Sequence, residues 1–282
     1  MSNSIPALSY QIGVIGTASF DILHVAGRVI HTIGGAGVYT ALAAHRAGAK
    51  AHLIAPRPEP LPQLFIPVIE RVHWTGPVVA PEALSRLEIA HHGQGKATLL
   101  DATWGAEAEL TPSALPLDQQ QPTIMHIAAL SSAQRQLEFV QAIRAIGGEE
   151  TTTHLSVGTY ARLVDHEAEI VWQLFRLADY FFMNENEALG LFGTIDRART
   201  RPGALLCVTL GDRGALVIEG NRVTHISAHA VDERDPTGAG DTFCGATLAG
   251  LATGMTPVVA AERAMEWAAL TVSDIGPSSL LK

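Results

Sequence analysis

Asp179-Tyr180-Phe181-Phe182-Met183-Asn184-Glu185-Asn186-Glu187 sets two elements end to end. The apolar run Tyr180–Met183 reads as a strand buried on both faces. Asn184, with Glu187 at the i+3 position, reads as the start of a helix. A strand passing straight into a helix is the repeating unit of an α/β sheet, and the unit recurs upstream. Thr123–Ile127 is a strand, Ala133–Ile146 a helix, Thr152–Val157 a strand and Asp165–Leu177 a helix. Strands joined through helices pair in parallel and are covered on both faces. The expected fold is therefore α/β: a three-layer α/β/α sandwich with a mostly parallel central sheet. Ligands of such sheets collect at the carboxyl ends of the strands.

Downstream, Ala204–Leu210 is a strand, and Gly211-Asp212-Arg213-Gly214 turns the chain back into Ala215–Ile218. Asp235-Pro236-Thr237-Gly238-Ala239-Gly240-Asp241 then runs into a helix of small and apolar residues that ends near Gly254. A glycine-rich turn feeding a helix aims several backbone N–H groups and the positive end of the helix dipole at one point, which makes an anion site. Asp241 is a carboxylate where an anion should bind. It would be repelled there unless it takes a proton from an attacking hydroxyl. An ordinary helix N-terminus, with Gly for the turn and Asp favouring the dipole, accounts for the same short string.

The amino-terminal half opens with the strand Gln11–Gly16, followed by Thr17-Ala18-Ser19-Phe20-Asp21. It lacks G-x-G-x-x-G, which argues against a dinucleotide-binding oxidoreductase. Gly34-Gly35 precedes an alanine-rich helix closed by Gly48, and Ala51–Ala55 is the next strand. Pro56–Pro81 is punctuated by proline, with a short helix at Leu64–Glu70. Ser85–His91 and Lys96–Asp101 read as a hairpin turning at His92-Gly93-Gln94-Gly95. His91 and His92 are neighbours on a strand and point to opposite faces, so they do not share a metal ion. Gly95-Lys96 is no P-loop, because Ala90 and Ala97 stand where Gly and Ser or Thr are required.

The 282 residues, 47% hydrophobic and 17% charged, are those of a globular protein. A net charge of −9 without a basic cluster argues against a nucleic-acid partner. Cys207 and Cys244 have no C-x-x-C partner and read as buried, reduced thiols. Residues 1–12 show no signal peptide and no stretch reads as a membrane span, so a cytoplasmic location is expected.

The string D-P-T-G-A-G-D-T-F at residues 235–243 resembles the carboxyl-terminal signature of the ribokinase/PfkB family of sugar and nucleoside kinases. The Gly-Gly helix start at Gly34-Gly35, the hairpin, N-x-x-E at Asn184–Glu187 and T-x-G-x-x-G at Thr209–Gly214 follow the family's order along nearly the whole chain. The resemblance implies one ribokinase-like domain over 1–282, with a small β lid formed by segments near 17–33 and 85–101. It implies transfer of the γ-phosphoryl group of ATP to a hydroxyl of a sugar or nucleoside. Asp241 is then the general base, and Gly238, Ala239 and Gly240 form the anion hole. The acceptor falls to Asp21, Gly35, Tyr39 and Arg86, and ATP to Thr209, Gly211, Gly214 and Thr237. Mg2+ falls, through water, to Asn184 and Glu187, though the same pair fits a helix capping box. Asp235 resembles a monovalent-cation position, giving K+ as a further ion, and the family implies a homodimer through the lid. Tyr39 and Ala36 stand where ribokinases carry Asn and Lys, which speaks against ribose itself as the acceptor. A catalytically idle sugar- or nucleotide-binding regulator on the same fold is the rival reading.

Overall fold

The computed structural model describes residues 11–93, 96–116, 122–148 and 152–282. The chain opens with β1 (Ile12–Ile15), β2 (Ser19–Val25), β3 (Arg28–Gly34), α1 (Ala36–Arg46) and β4 (Ala51–Ile54). β5 (Arg57–Pro58), α2 (Ile66–Ile69), β6 (His73–Thr75) and β7 (Val78–Val79) follow, then the long strands β8 (Ser85–Gly93) and β9 (Lys96–Thr103). The α/β alternation comprises β10 (Ile124–Ile127), α3 (Ala133–Gly147), β11 (His154–Gly158), α4 (Ala161–His166), α5 (Ala168–Leu177), β12 (Tyr180–Asn184) and α6 (Glu185–Phe192). The chain closes with β13 (Leu205–Thr209), β14 (Ala215–Glu219), β15 (Arg222–Ile226), α7 (Ala239–Ala252) and α8 (Pro257–Val272).

The main sheet has nine strands in the order β15-β14-β13-β12-β11-β10-β1-β4-β6. It is parallel from β6 to β13, and β14 and β15 are added antiparallel. Strand pleating divides the core into two layers. On β12, Tyr180 and Phe182 pack with α1, α7 and α8, whereas Phe181 and Met183 face the cluster built with α3, α5 and α6. This is the covered, mostly parallel sheet that the apolar runs predict. The strand order reverses between β1 and β10, and there the loops part to leave a crevice.

Residues 165–177, expected as one helix, are broken at Glu167, whose φ and ψ of −129° and 32° leave the helical region. The freed Glu167 carboxylate accepts from Ser132 Oγ at 2.9 Å and Gln134 N at 3.1 Å, capping α3. A bond to another helix thus overrides local propensity.

A second sheet, ordered β3-β2-β8-β9, stands apart from the first. It contains both segments expected to form a lid, with β2 parallel to β8 and the other pairs antiparallel. The middle of the expected turn, Gln94-Gly95, lies outside the described residues, as does most of the segment read for a leader, residues 1–10. Among the described residues no helix is long and apolar enough to cross a membrane.

Candidate active site

α7 owes its position to small residues. Every residue from Thr242 to Gly250 is buried, sandwiched between α1 and α8. At Gly245 a side chain would strike the Thr40 carbonyl, so only Gly allows α1 and α7 to approach this closely. The helix begins at Gly238, which caps it in the left-handed conformation at φ 72°. Asp235 braces the preceding turn: Oδ1 accepts Thr237 N at 2.9 Å and Oδ2 accepts Gly276 N at 2.7 Å. Ala239, expected in the anion hole, already donates its N–H to the Pro236 carbonyl at 3.2 Å. Gly240 and Asp241 belong to the first helical turn, whose N–H groups find no partner within the helix.

The head of α7 opens into a cavity of about 310 Å3. Its floor follows the carboxyl ends of successive strands: Thr17 beyond β1, Ala129 beyond β10, Thr159 beyond β11, Asn184 ending β12 and Thr209 ending β13. Asp21, Gly35, Tyr39, Glu187, Thr237, Gly238, Gly240 and Asp241 line it as well. Ten of the sequence-predicted residues therefore meet in one space. Arg86 does not: it is exposed, and its neighbour Leu87 enters the cavity instead. Gly211 and Gly214 also lie off the cavity, at positive φ in the turn from β13 to β14, where Arg213 pairs with Glu185.

Burial sets the electrostatics. It pushes the Asp241 carboxyl up to about 7. Asp21 also rises to about 7 through burial, opposed by the hydrogen bond from Ser19 Oγ at 2.6 Å and reinforced by the charge of Asp235. Glu187 reaches about 8, again from burial first, with the Asn184 amide pulling it down and the charge of Asp241 pushing it up. Asn184 and Glu187 form a complete capping box. Glu187 N donates to Asn184 Oδ1 at 3.0 Å and Asn184 N to Glu187 Oε2 at 2.8 Å. Tyr39 is buried, its ring lies against Gly238, and its hydroxyl has no partner.

Sequence reasoning missed three features. His91, set aside as half of a false metal pair, turns inward to within 3.2 Å of both Asp235 Oδ1 and Thr237 Oγ1, while His92 faces out to Thr98. The alternation along β8 was the available signal. Trp104 and Tyr160, from separate loops, line the cavity with ring centroids 6.0 Å apart. No spacing in the chain announces that pair. His126 lies at the cavity floor, its Nδ1 2.8 Å from Ser156 Oγ and its Nε2 3.7 Å from Cys244 Sγ. Burial pulls its imidazole down to about 3, so it is neutral. Cys207 and Cys244 are both buried and free, as expected. Trp267 of α8 carries the Arg46 guanidinium 5.2 Å from its ring centroid.

The sequence profile of the pfkB family carbohydrate kinases matches residues 8–282. The chain belongs to that family. Among curated relatives, the pfkB chain is 26% identical over 253 residues to a cytidine kinase of Thermococcus kodakarensis, covering 86% of this chain and 88% of the relative. Among solved structures it is similar to a probable sugar kinase protein from Rhizobium etli, with a TM-score of 0.81, 19% identity and 96% of each chain covered. A Burkholderia thailandensis nucleoside kinase in complex with inosine matches at a TM-score of 0.79 and 16% identity, over 96% of this chain and 94% of the other. The pfkB chain thus has the ribokinase-like α/β fold and is a phosphotransferase of the sugar or nucleoside kinase type, a family that uses ATP.

Mg2+, implied by the family, fits the residues present. Three carboxylates, Asp21, Glu187 and Asp241, enter the cavity, and no Lys or Arg lines it among the described residues. A nucleotide polyphosphate needs positive charge there, and a hard cation with oxygen ligands supplies it. No cluster of three or more ligating side chains exists among the described residues, so phosphate and water would complete the shell around Glu187. Asp235, expected beside a monovalent cation, accepts from two backbone amides and lies 3.2 Å from His91 Nε2.

Proposed function

We propose that this pfkB kinase transfers the γ-phosphoryl group of ATP to a hydroxyl of a sugar or nucleoside, with Asp241 as general base. The observation that carries this reading is the Asp241 carboxyl, at the head of α7 and open to the cavity, with burial holding it near 7. A base so poised is about half ionised at neutral pH and gives its proton up readily afterwards. Asp241 takes the proton of the acceptor O–H, and the acceptor oxygen bonds to the γ-phosphorus as the bond to the bridging β–γ oxygen breaks, releasing ADP. The amides of Gly238 and Gly240 face the charge on the transferred group, a contribution of roughly 3 kcal/mol per donor in other enzymes. Asp21 and Gly35 position the acceptor, and Thr209 and Thr237 lie along the nucleotide. Asn184 and Glu187 would hold Mg2+, which would supply positive charge against the nucleotide phosphates. The four-stranded sheet acts as the lid, with Asp21 of β2 and Leu87 of β8 its contributions to the cavity wall.

Trp104 and Tyr160 favour a nucleoside over a free sugar. Two aromatic rings in the wall offer a planar base a stacking surface. The relative named cytidine kinase and the neighbour holding inosine agree with that reading. Against an idle binding protein stands the intact pair Asp241 and Glu187, since binding alone requires no carboxylate beside phosphate. ATP consumption over a panel of sugars and nucleosides tests the proposal. Turnover of a nucleoside, abolished in Asp241→Asn, is expected. Equal turnover by wild type and variant would show that Asp241 is not the base, and tight sugar binding without turnover would favour the idle protein.

A further inference from the structure

His91 has no part in the scheme above, yet its imidazole reaches from β8 into the turn that heads α7. Its side chain is 4% exposed and that of Asp235 0% exposed, with Nε2 3.2 Å from Asp235 Oδ1. The same nitrogen is 3.2 Å from Thr237 Oγ1. The hydrogen on this nitrogen follows from the neighbours. Asp235 Oδ1 already accepts Thr237 N, so Asp235 is held as an acceptor, and a ring nitrogen facing it must carry a hydrogen. Both the neutral Nε2–H tautomer and the imidazolium meet that condition. A nitrogen that carries hydrogen has no lone pair for the Thr237 hydroxyl, so Thr237 Oγ1 is the acceptor in this contact and shares the one Nε2 hydrogen with Asp235 Oδ1 in a three-centre bond. The hydroxyl hydrogen is then free for another acceptor, and Thr237 borders the cavity where the phosphates would lie.

The strand makes the contact mechanical as well as local. β8 gives Leu87 to the cavity wall and His91 to the turn, so one element touches both the acceptor side and the phosphate side. We propose that His91 is a positioning residue: its Nε2–H, anchored on Asp235, holds the Thr237 hydroxyl with its hydrogen aimed at the nucleotide phosphates and ties β8 to the phosphate cradle. This rests on the kinase reading.

Calorimetric binding of the non-hydrolysable analogue AMP-PNP with Mg2+ tests it, because that readout needs no acceptor. His91→Ala is expected to bind about 10-fold more weakly, the scale of one hydrogen bond to a charged group. His91→Gln, whose side-chain amide reaches a similar point, is expected to return to within about threefold of wild type. Thr237→Val is expected to match the loss, and adding His91→Ala to it to cost nothing further, because the two act through one hydroxyl. A residue that merely packs would show neither rescue by Gln nor this non-additivity. His91→Asn replaces the alanine variant if that one does not fold. The inference is overturned if His91→Ala binds like wild type, if His91→Gln is as weak as His91→Ala, or if the two losses multiply. Failure of the wild type to bind AMP-PNP overturns the kinase reading and this inference with it.

Discussion

Asp241 and Gly238 carry the single-residue consequences. Burial holds the Asp241 carboxyl near 7, and the base acts ionised, so kcat/KM is expected to rise with pH and level off above about 7. Asp241→Asn should remove that limb and lower kcat by about 10²–10⁴-fold, measured as initial rates from pH 5.5 to 9. An unchanged profile in the variant would assign the limb to another group. Gly238→Ala faces two obstacles, a positive φ of 72° and the Tyr39 ring in the space a side chain would fill. It should cost about 1–3 kcal/mol and at least tenfold in rate, read by thermal unfolding and turnover. Both residues were legible in the chain because the turn, the helix start and the carboxylate are contiguous. His91 was not, because its partner Thr237 is 146 residues away and only the fold joins them.

At the level of elements, the N-terminus of α6 holds two readings in one geometry. The sequence offered a capping box or a metal position at Asn184 and Glu187, and the structure contains the complete box. Each Glu187 oxygen accepts one hydrogen from Asn184 and keeps a second lone pair. The side chain is buried, lines the cavity and is raised to about 8, with no Lys or Arg among the described lining residues. Glu187→Gln separates the roles. Its amide oxygen still accepts from Asn184 N, but its NH2 replaces the Oε1 that accepts from Asn184 Nδ2 at 2.6 Å, so stability should fall by about 1–2 kcal/mol. The Mg2+ concentration for half-maximal activity should rise about 10-fold, since a neutral amide is a poor ligand for a hard cation. A large loss of stability with unchanged Mg2+ dependence would leave the cap alone. The same strand ends show why α/β order was readable while α4 and α5 were not separated. Tyr180–Met183 declares its burial in four consecutive residues, whereas the break at Glu167 depends on Ser132 and Gln134 of a different helix. Arg86 failed for a related reason: alternation says that one of Arg86 and Leu87 faces in, and the apolar one does.

For the whole molecule, a chain of net charge −9 has gathered Asp21, Glu187 and Asp241 into one cavity, each raised above its ordinary value by burial. The fold puts them there: Asp21 on β2, Glu187 in the first turn of α6 after β12, and Asp241 in the first turn of α7 all line the cavity at the carboxyl end of the main sheet. The consequence is a stability that depends on pH. A carboxyl with a raised value in the folded state holds its proton more tightly there than in the unfolded chain. Its favourable contribution is complete below about pH 4 and is lost as pH climbs towards 7 to 8. A fully dry site would make that loss about 4 kcal/mol for Asp241, and contact with the cavity reduces the expectation to about 1–2 kcal/mol. Without ligand, the wild type should therefore lose stability between pH 5 and 8.5 relative to Asp241→Asn, which has no charge to bury. The variant should be the more stable protein at pH 8.5, with the gap narrowing towards pH 5. Mg2+ with AMP-PNP should close the gap from the other side, by supplying the charge that the ionised carboxylates lack and by binding only the folded form. Denaturant melts of both proteins across that range, with and without the nucleotide, read all three effects. Parallel curves would mean that Asp241 is ionised in the folded protein throughout, and the cavity would then need another source for the acidic limb in its rate profile.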